Sequence, residues 1–429
     1  MTFRNKAACF KGDRRGNFAV MTSILIVPLL LSVGLAVDYS RIVDARSDIQ
    51  AAVDAAAMAA VAKSSENYKV GGSFGQTWTE NQARKDAMAV LDANQKKLPD
   101  YKIVSRNVTF NRVGPVFEAN VSLEVSVPTM FMGILGVKST TLKTAAVGKV
   151  TLEPFVDVYL LADNTPSMGL GATPTDVKKL EVATGCAFAC HDLRGYQNTM
   201  PTALKLGIQL RIDSTREAIT ELMATLKKTR EHREQYRIAG YTFGTDIYKQ
   251  QLTSFVDLSS DMDKAGTQAS TLALMTTSYA NSMSNMATNF QAVLASLVPT
   301  VGKSGSGTST TDRRKLVLLI TDGVNTTLKP SSCPKPLNAY GQCQSPIDPK
   351  WCDGLKANGA NVAVLYTTYY PVVDGWYNAY IKPFRDEIGT KLAACATPGM
   401  YAEVQPHEGI KEALETLFFK SAPPPRLAM

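Results

Sequence analysis

Twenty consecutive residues, Phe18 to Val37, carry no charge. A helix of that length extends about 30 Å at roughly 1.5 Å per residue, the thickness of a bilayer's hydrocarbon. The run therefore predicts a chain hung from one transmembrane helix. Pro28 lies inside it, which membrane helices tolerate. Five basic residues (Arg4, Lys6, Lys11, Arg14, Arg15) precede the run, whereas only Arg41 and Arg46 follow at once, among four aspartates. That asymmetry predicts a single pass, with residues 1–17 as a cytoplasmic basic segment, the span over 18–37, and the bulk of the chain outside the cytoplasm. A cleaved secretory signal competes with this reading, because Ser32, Gly34 and Ala36 are small enough for a peptidase. The length of the apolar run favours a retained anchor.

Residues 38–62 read as an Ala-rich amphipathic helix continuing the span. Ile42, Ala45, Ile49, Ala52, Ala56 and Ala59 follow seven-residue spacing, with Arg41, Asp44, Arg46, Asp48 and Asp54 elsewhere on the wheel. Such a small-residue seam lets another helix approach closely; packing on the chain's own domain is the plainer account. Residues 63–150 predict a small α+β domain. Thr77 to Leu98 reads as a helix closed by Pro99, and Val116 to Val127 alternates apolar and polar residues, as a strand with one buried face does. Tyr101 to Arg112 and Thr140 to Val150 are weaker strand candidates. Met130 to Gly136 forms an apolar patch between strands, expected to pack into the core, with a contact surface for membrane or partner as the alternative.

From residue 151 to 420 strands and helices alternate, which predicts an α/β domain with a central, mostly parallel sheet covered on both faces. Strand candidates are Val156–Ala162, Tyr236–Phe243, Leu316–Thr321, Asn361–Thr367 and Met400–Val404; helix candidates are Ile212–Thr229, Met283–Val298, Phe384–Ala394 and His407–Phe419. The first strand ends in Asp163-Asn164-Thr165-Pro166-Ser167, a turn that sets a carboxylate and two hydroxyls on alternate residues. Hard oxygen donors at the carboxyl end of a central strand suit Mg²⁺; a solvated turn fits the same residues. Leu316 to Gly323 repeats the pattern, a buried strand ending in Asp322.

The turn resembles the D-x-[ST]-x-S signature of von Willebrand factor A domains, and Ala287-Thr288-Asn289-Phe290 resembles the loop of that family whose threonine completes its metal site. The resemblance implies a Rossmann-like fold and a divalent-cation site, Mg²⁺ or a similar ion, on Asp163, Thr165, Ser167, Thr288 and Asp322. Thr165 stands where serine is more usual and keeps the hydroxyl. A cation held by two carboxylates and some hydroxyls retains an open position, which an acidic side chain of a protein partner can fill. Arg14-Arg15-Gly16-Asn17-Phe18, the span, Val37-Asp38-Tyr39 and the Ala-rich helix resemble the amino terminus of TadE/TadG-like proteins of Flp-type pilus assembly. That likeness implies a bacterial inner-membrane protein with its bulk in the periplasm and a pilus or envelope component as partner. Processed pseudopilins of the system carry Glu five residues after the cleavage glycine, but Met21 stands five after Gly16. A TadG-like, uncleaved member is the closer match, with the middle domain as its stalk.

Cys186-Ala-Phe-Ala-Cys190-His191 lies where the von Willebrand A pattern normally runs straight into a helix, and is one residue longer than a C-x-x-C-H haem attachment motif. A local disulfide is favoured in an oxidising compartment. A periplasmic haem or redox protein built on Cys186, Cys190 and His191 is the rival function, with His232 or His407 as the second axial ligand. A zinc site lacks further ligands nearby. Beyond Cys9, the other cysteines are Cys333, Cys343, Cys352 and Cys395. Proximity suggests Cys186–Cys190 and Cys333–Cys343, and elimination leaves Cys352–Cys395, among many possible pairings.

Val301-Gly302-Lys303-Ser304 fails as a phosphate loop, since the first glycine of that motif would fall on Leu297. Lys303 to Thr311 reads as a flexible linker, and 421–429 as a disordered tail. The net charge of +8 is spread along 429 residues, with no basic helix interleaved with aromatics and no zinc-finger spacing, so nucleic acid is not an expected partner. The three histidines are far apart and no Ser-His-Asp context or paired-glutamate motif is present. A non-enzymatic role is expected.

Overall fold

The computed structural model describes residues 17–62, 76–95, 101–113, 116–151, 154–185, 199–230, 233–245, 251–275, 288–328, 331–368, 375–422 and 427–428. The chain divides into two compact units, Met1–Thr151 with Arg426–Met429, and Leu152–Pro425.

In the first unit one unbroken helix, α1 (Asn17–Val61), holds both the apolar run and the Ala-rich segment. Its first half presents large apolar side chains outward: Ile24, Leu29 and Leu30 are 60–67% exposed. Its second half buries Ala45, Ile49, Ala52, Val53, Ala56, Ala57 and Ala60 against α2 (Gln76–Gln95) and the sheet. The small-residue seam thus packs on its own unit. The sheet is an antiparallel meander of β1 (Lys102–Val113), β2 (Val116–Pro128) and β3 (Ser139–Thr151). On β2 the residues Phe117, Ala119, Val121, Leu123, Val125 and Val127 are buried and those between are not, the one-faced burial that period-two alternation demands. Small residues let helix and sheet close up: a Cβ placed on Gly148 would lie 2.3 Å from the carbonyl oxygen of Ala57.

Two expectations fail here. Met130 to Gly136 is not core. It forms a 3-10 turn, Met132–Leu135, with no buried residue, because the β2–β3 connection runs past the end of the sheet. At the carboxyl terminus, part of the stretch expected to be disordered adds a short strand, Leu427–Ala428, beside Val150 and Lys149 of β3.

The second unit is built on β4 (Val156–Ala162), β5 (Tyr236–Thr242), β6 (Thr253–Ser259), β7 (Arg314–Thr321), the hairpin β8 (Val324–Leu328) and β9 (Gln342–Pro346), β10 (Asn361–Thr367) and β11 (Tyr401–Val404). Six strands form one sheet in the order β11-β10-β7-β4-β5-β6, parallel except for β6. Helices α3 (Pro174–Thr184), α4 (Thr199–Leu206), α5 (Arg211–Thr229), α6 (Met262–Ala269), α7 (Phe290–Val301), α8 (Arg385–Cys395) and α9 (Ile410–Ser421), with shorter helical turns, pack around it. Alternate residues of β4 face opposite layers. Val158, Leu160 and Ala162 join a core with Ile219, Leu222 and Leu226 of α5 and Leu414 and Phe418 of α9. Tyr159 and Leu161 join one with Val293 and Leu297 of α7 and Ile388 and Leu392 of α8. Burial on both faces is why β4 and β7 read as continuous apolar runs.

The edge strand β6 escapes sequence reading because only Val256 of it is buried. The helix expected over Met283–Val298 starts at Phe290, where the Asn289 side chain accepts from the Ala292 amide at 3.0 Å; residues 283–287 lie outside the described residues. Lys303 to Thr311 is an ordered turn rather than a linker. Gly307 accepts from the Phe155 amide at 2.9 Å, and the Asp312 carboxylate accepts from the Ser306 amide at 3.1 Å.

At the amino end of β4 the fully buried Asp157 accepts two hydrogen bonds from Arg237, at 2.7 and 2.8 Å, and one from Lys315. Burial alone would raise its pKa; the Arg237 and Lys315 bonds outweigh it and hold the carboxyl below its ordinary value. Asp157→Ala is expected to cost on the order of 3 kcal/mol, because it leaves partly buried cations unpaired. The folded pKa is depressed, so this stabilisation is complete above the unfolded value of 3.8 and disappears as pH falls through the folded one. Denaturant unfolding of wild type and variant at neutral pH and near pH 3 checks both statements.

Candidate functional site

The chain enters the sheet at β4, builds β5 and β6 to one side, and returns to build β7, β10 and β11 on the other. The strand order therefore reverses between β4 and β7, and the crevice beyond their carboxyl ends is where open α/β sheets bind ligands. Asp163 follows β4 directly and Asp322 follows β7. Both carboxylates are fully buried.

Asp163 Oδ1 accepts from the Thr165 amide at 3.0 Å and the Thr165 hydroxyl at 2.7 Å, and its Oδ2 accepts from the Thr321 hydroxyl at 2.7 Å. Thr165 Oγ1 in turn accepts from the Thr288 hydroxyl at 3.0 Å and lies 3.4 Å from Ser167 Oγ. Four of the five oxygen-bearing residues named from sequence thus form one hydrogen-bonded chain drawn from two distant segments. Asp322 joins through charge. Burial first, and the Asp322 carboxylate second, push the Asp163 pKa up to about 7 against the hydrogen bonds from Thr321 and Thr165. The Asp322 carboxylate accepts from the Val324 amide at 3.3 Å, and the Arg211 guanidinium stands 3.6 Å from its Oδ2.

Local sequence explains the placement. Pro166 starts a 3-10 turn over Pro166–Gly169, so the chain doubles back directly after Thr165 and carries Ser167 on the turn itself. Asn164, between two of them, points the other way: its amide donates to the Gly244 and Ala273 carbonyls at 2.7 and 3.2 Å and accepts from the Phe243 amide at 3.2 Å. It fastens the turn to the loop after β5. Gly323 follows Asp322 with φ +77°, and a Cβ there would sit 2.5 Å from Ile388 Cγ2; only glycine fits. Thr288 is held by exchanging both backbone hydrogen bonds with Thr326 of β8, at 3.1 and 3.0 Å. The loop of that hairpin is closed by a Cys333–Cys343 disulfide, and a second bridge joins Cys352 to Cys395. Both bridges match the pairing expected from sequence. Cys186, Cys190 and His191 lie outside the described residues.

Thr321, Asn164 and Arg211 were not foreseen. Arg211 begins α5, is 1% exposed, and also donates to the Thr368 carbonyl at 3.1 Å. No local signal marks it, since a basic residue at a helix start reads as solvent-facing.

Among the described residues no group of three or more His, Cys, Asp or Glu side chains is placed to hold a metal. The donors here are two carboxylates and three hydroxyls, without thiol or imidazole. That set fits a hard, oxygen-seeking ion such as Mg²⁺, which keeps part of its water shell, and does not fit zinc or copper. Ser167 is the one member of the set that is not fully buried, so the set opens to the outside on its side.

The family model “Putative Flp pilus-assembly TadE/G-like” matches residues 16–63. The match takes in the apolar run and the Ala-rich half of α1, and none of the unit that carries the site. No curated protein matches the chain.

Proposed function

We propose that the chain is a membrane-anchored, non-enzymatic component of Flp-type pilus assembly, whose second unit is a von Willebrand A-like domain that grips a protein partner through a divalent cation. The likeness of residues 16–63 to a TadE/G-like pilus-assembly model supports the first part. Among the described residues one helix is long and apolar enough to cross a membrane, which supports the anchor. The charge asymmetry favours a cytoplasmic amino terminus.

One observation carries the rest: hydroxyls from residues 165 and 288 and the Asp163 carboxylate meet in one hydrogen-bonded chain at the switch point, with Asp322 near enough to bias Asp163. In this reading Asp163 and Asp322 supply the charge, and Thr165, Ser167 and Thr288 turn oxygen lone pairs inward. A bound cation would supply electrostatic attraction for an acidic side chain of the partner. The buried Asp163 frame stays fixed while the half-buried Ser167 side admits that side chain. The Cys333–Cys343 bridge, through β8, keeps Thr288 in place, so less order has to be created when the partner docks.

The test is capture of envelope and pilus proteins on the purified full chain in detergent. Specific capture in Mg²⁺ that is lost in EDTA and restored by Mg²⁺ is the expected result. Capture indifferent to the chelator would refute a cation-mediated grip.

A further inference from the structure

The apolar turn Met130 to Gly136 packs beside α1 rather than in the core. Its backbone is clamped by Asp38, whose carboxylate accepts from the amides of Met130, Phe131 and Met132 at 2.9, 2.8 and 2.6 Å. Asp38 is 1% exposed and is the first charged residue after the apolar run. The Phe131 ring lies over Gly34, where a Cβ would come within 2.6 Å of it. Gly34 is inside the apolar run, so the turn overlaps the run by about one helical turn, roughly 5 Å. The turn closes on itself through the Val137 amide to Met132 (3.0 Å) and the Thr129 amide to Lys138 (3.1 Å). Its other apolar side chains face outward: Ile134 is 73%, Met130 64% and Leu135 58% exposed.

We infer that this turn is a second membrane contact, a wedge that enters the lipid beside the span and fixes how the first unit stands on the bilayer. The occupant follows from continuity. The exposed face of the turn is contiguous with the exposed apolar half of α1, so a bilayer that surrounds α1 up to Val37 meets Phe131 and its neighbours at the same depth. Met130, Ile134 and Leu135 would there pass from water into lipid, a favourable transfer for each large apolar side chain. The polar groups fit the same level. The three amides of the turn, which lipid could not satisfy, are taken by Asp38. Tyr39, 70% exposed, stands at the boundary where amphipathic rings collect, and the exposed Lys138 follows the turn at the headgroup level. The wedge also gives Asp38 and Gly34 a job. They tie a loop of the sheet to the span, so that the span cannot rotate independently of the unit it carries. The inference rests on α1 being a membrane anchor.

The test uses the full chain reconstituted into phosphatidylcholine–phosphatidylglycerol vesicles. A tryptophan is added singly at Ile134, at Ile24 within the span, or at Val113, an exposed residue (64%) at the far end of the meander; Val113 is about 40 Å from the turn along β2, at roughly 3.3 Å per residue. The emission of each added tryptophan is read as the difference from the wild-type chain. With lipids brominated on the upper acyl chain, emission from position 134 should fall by about half, as expected for a side chain roughly 5–10 Å below the headgroups. Position 24 should be quenched as well, and position 113 should be untouched. Quenching at 24 without quenching at 134 overturns the wedge and leaves the anchor standing. A tryptophan at 134 shielded from aqueous acrylamide yet blind to bromine means a protein contact, which also overturns it. Absence of quenching at 24 refutes the anchor itself.

Discussion

Arg211→Met is expected to make the stability of the second unit depend on a divalent cation. The wild-type guanidinium stands beside the buried Asp322 carboxylate and holds the Thr368 carbonyl. Methionine keeps much of the volume and removes the charge, leaving the buried Asp322 carboxylate, close to Asp163, without the Arg211 cation. Removing one partner of a buried ion pair costs about 3–5 kcal/mol, and in EDTA the variant should lose that much. In Mg²⁺ at about a hundred times its dissociation constant, binding returns roughly 2.7 kcal/mol, so most of the loss should be recovered. The wild type, which carries its own positive charge in the crevice, should gain less from Mg²⁺ at the same concentration because the two cations compete for Asp322. Urea unfolding of both proteins with and without Mg²⁺ measures the difference. Equal losses in both buffers would mean that Arg211 neutralises a purely structural carboxylate pair.

Asp163→Ala is expected to lower divalent-cation affinity at least about a hundredfold, a change of roughly 2.7 kcal/mol, because one of two charged donors is gone and neutral hydroxyls replace it poorly around a doubly charged ion. The effect on folding is a balance of two opposed contributions. The substitution strands the hydroxyl of Thr321 and the amide and hydroxyl of Thr165, which donate to Asp163, and buried donors without acceptors are destabilising by about 1–3 kcal/mol each. It also relieves what pushes the Asp163 pKa up, first its burial and then the neighbouring Asp322 charge. The two consequences oppose each other. A variant that keeps its far-ultraviolet spectrum and near-native unfolding midpoint while losing the cation is the expected outcome. Loss of fold in proportion to loss of cation would make Asp163 a structural residue only.

How much of this was legible depended on whether the signal was local. β4, β7 and β10 were readable because strands buried on both faces are continuous apolar runs, and β2 because it is buried on one. Asp163, Thr165 and Ser167 were readable because they share one turn, whereas Thr288 came only from the resemblance of its loop to that of von Willebrand A domains. Thr321 and Arg211 were invisible, since each acquires its role from a partner more than a hundred residues away in sequence. The turn at Met130 to Gly136 was misassigned for the same reason. Its apolar composition fits a core equally well, and only Asp38 and Gly34, nearly a hundred residues earlier, draw it to the exposed half of α1 instead. Lys303 to Thr311 has linker composition, yet Phe155 and Asp312 order it.

Mn²⁺ binding followed by electron paramagnetic resonance tests whether the oxygens at the β4–β7 switch point share a single hard cation, since the ion is oxygen-seeking like Mg²⁺ and its free signal disappears on binding. The full chain is expected to take up one Mn²⁺, to release it to excess Mg²⁺, and to lose the site in Asp163→Ala. A chain that binds no Mn²⁺ in either wild-type or Arg211→Met form, or whose binding is unchanged by Asp163→Ala, would contradict a shared cation site.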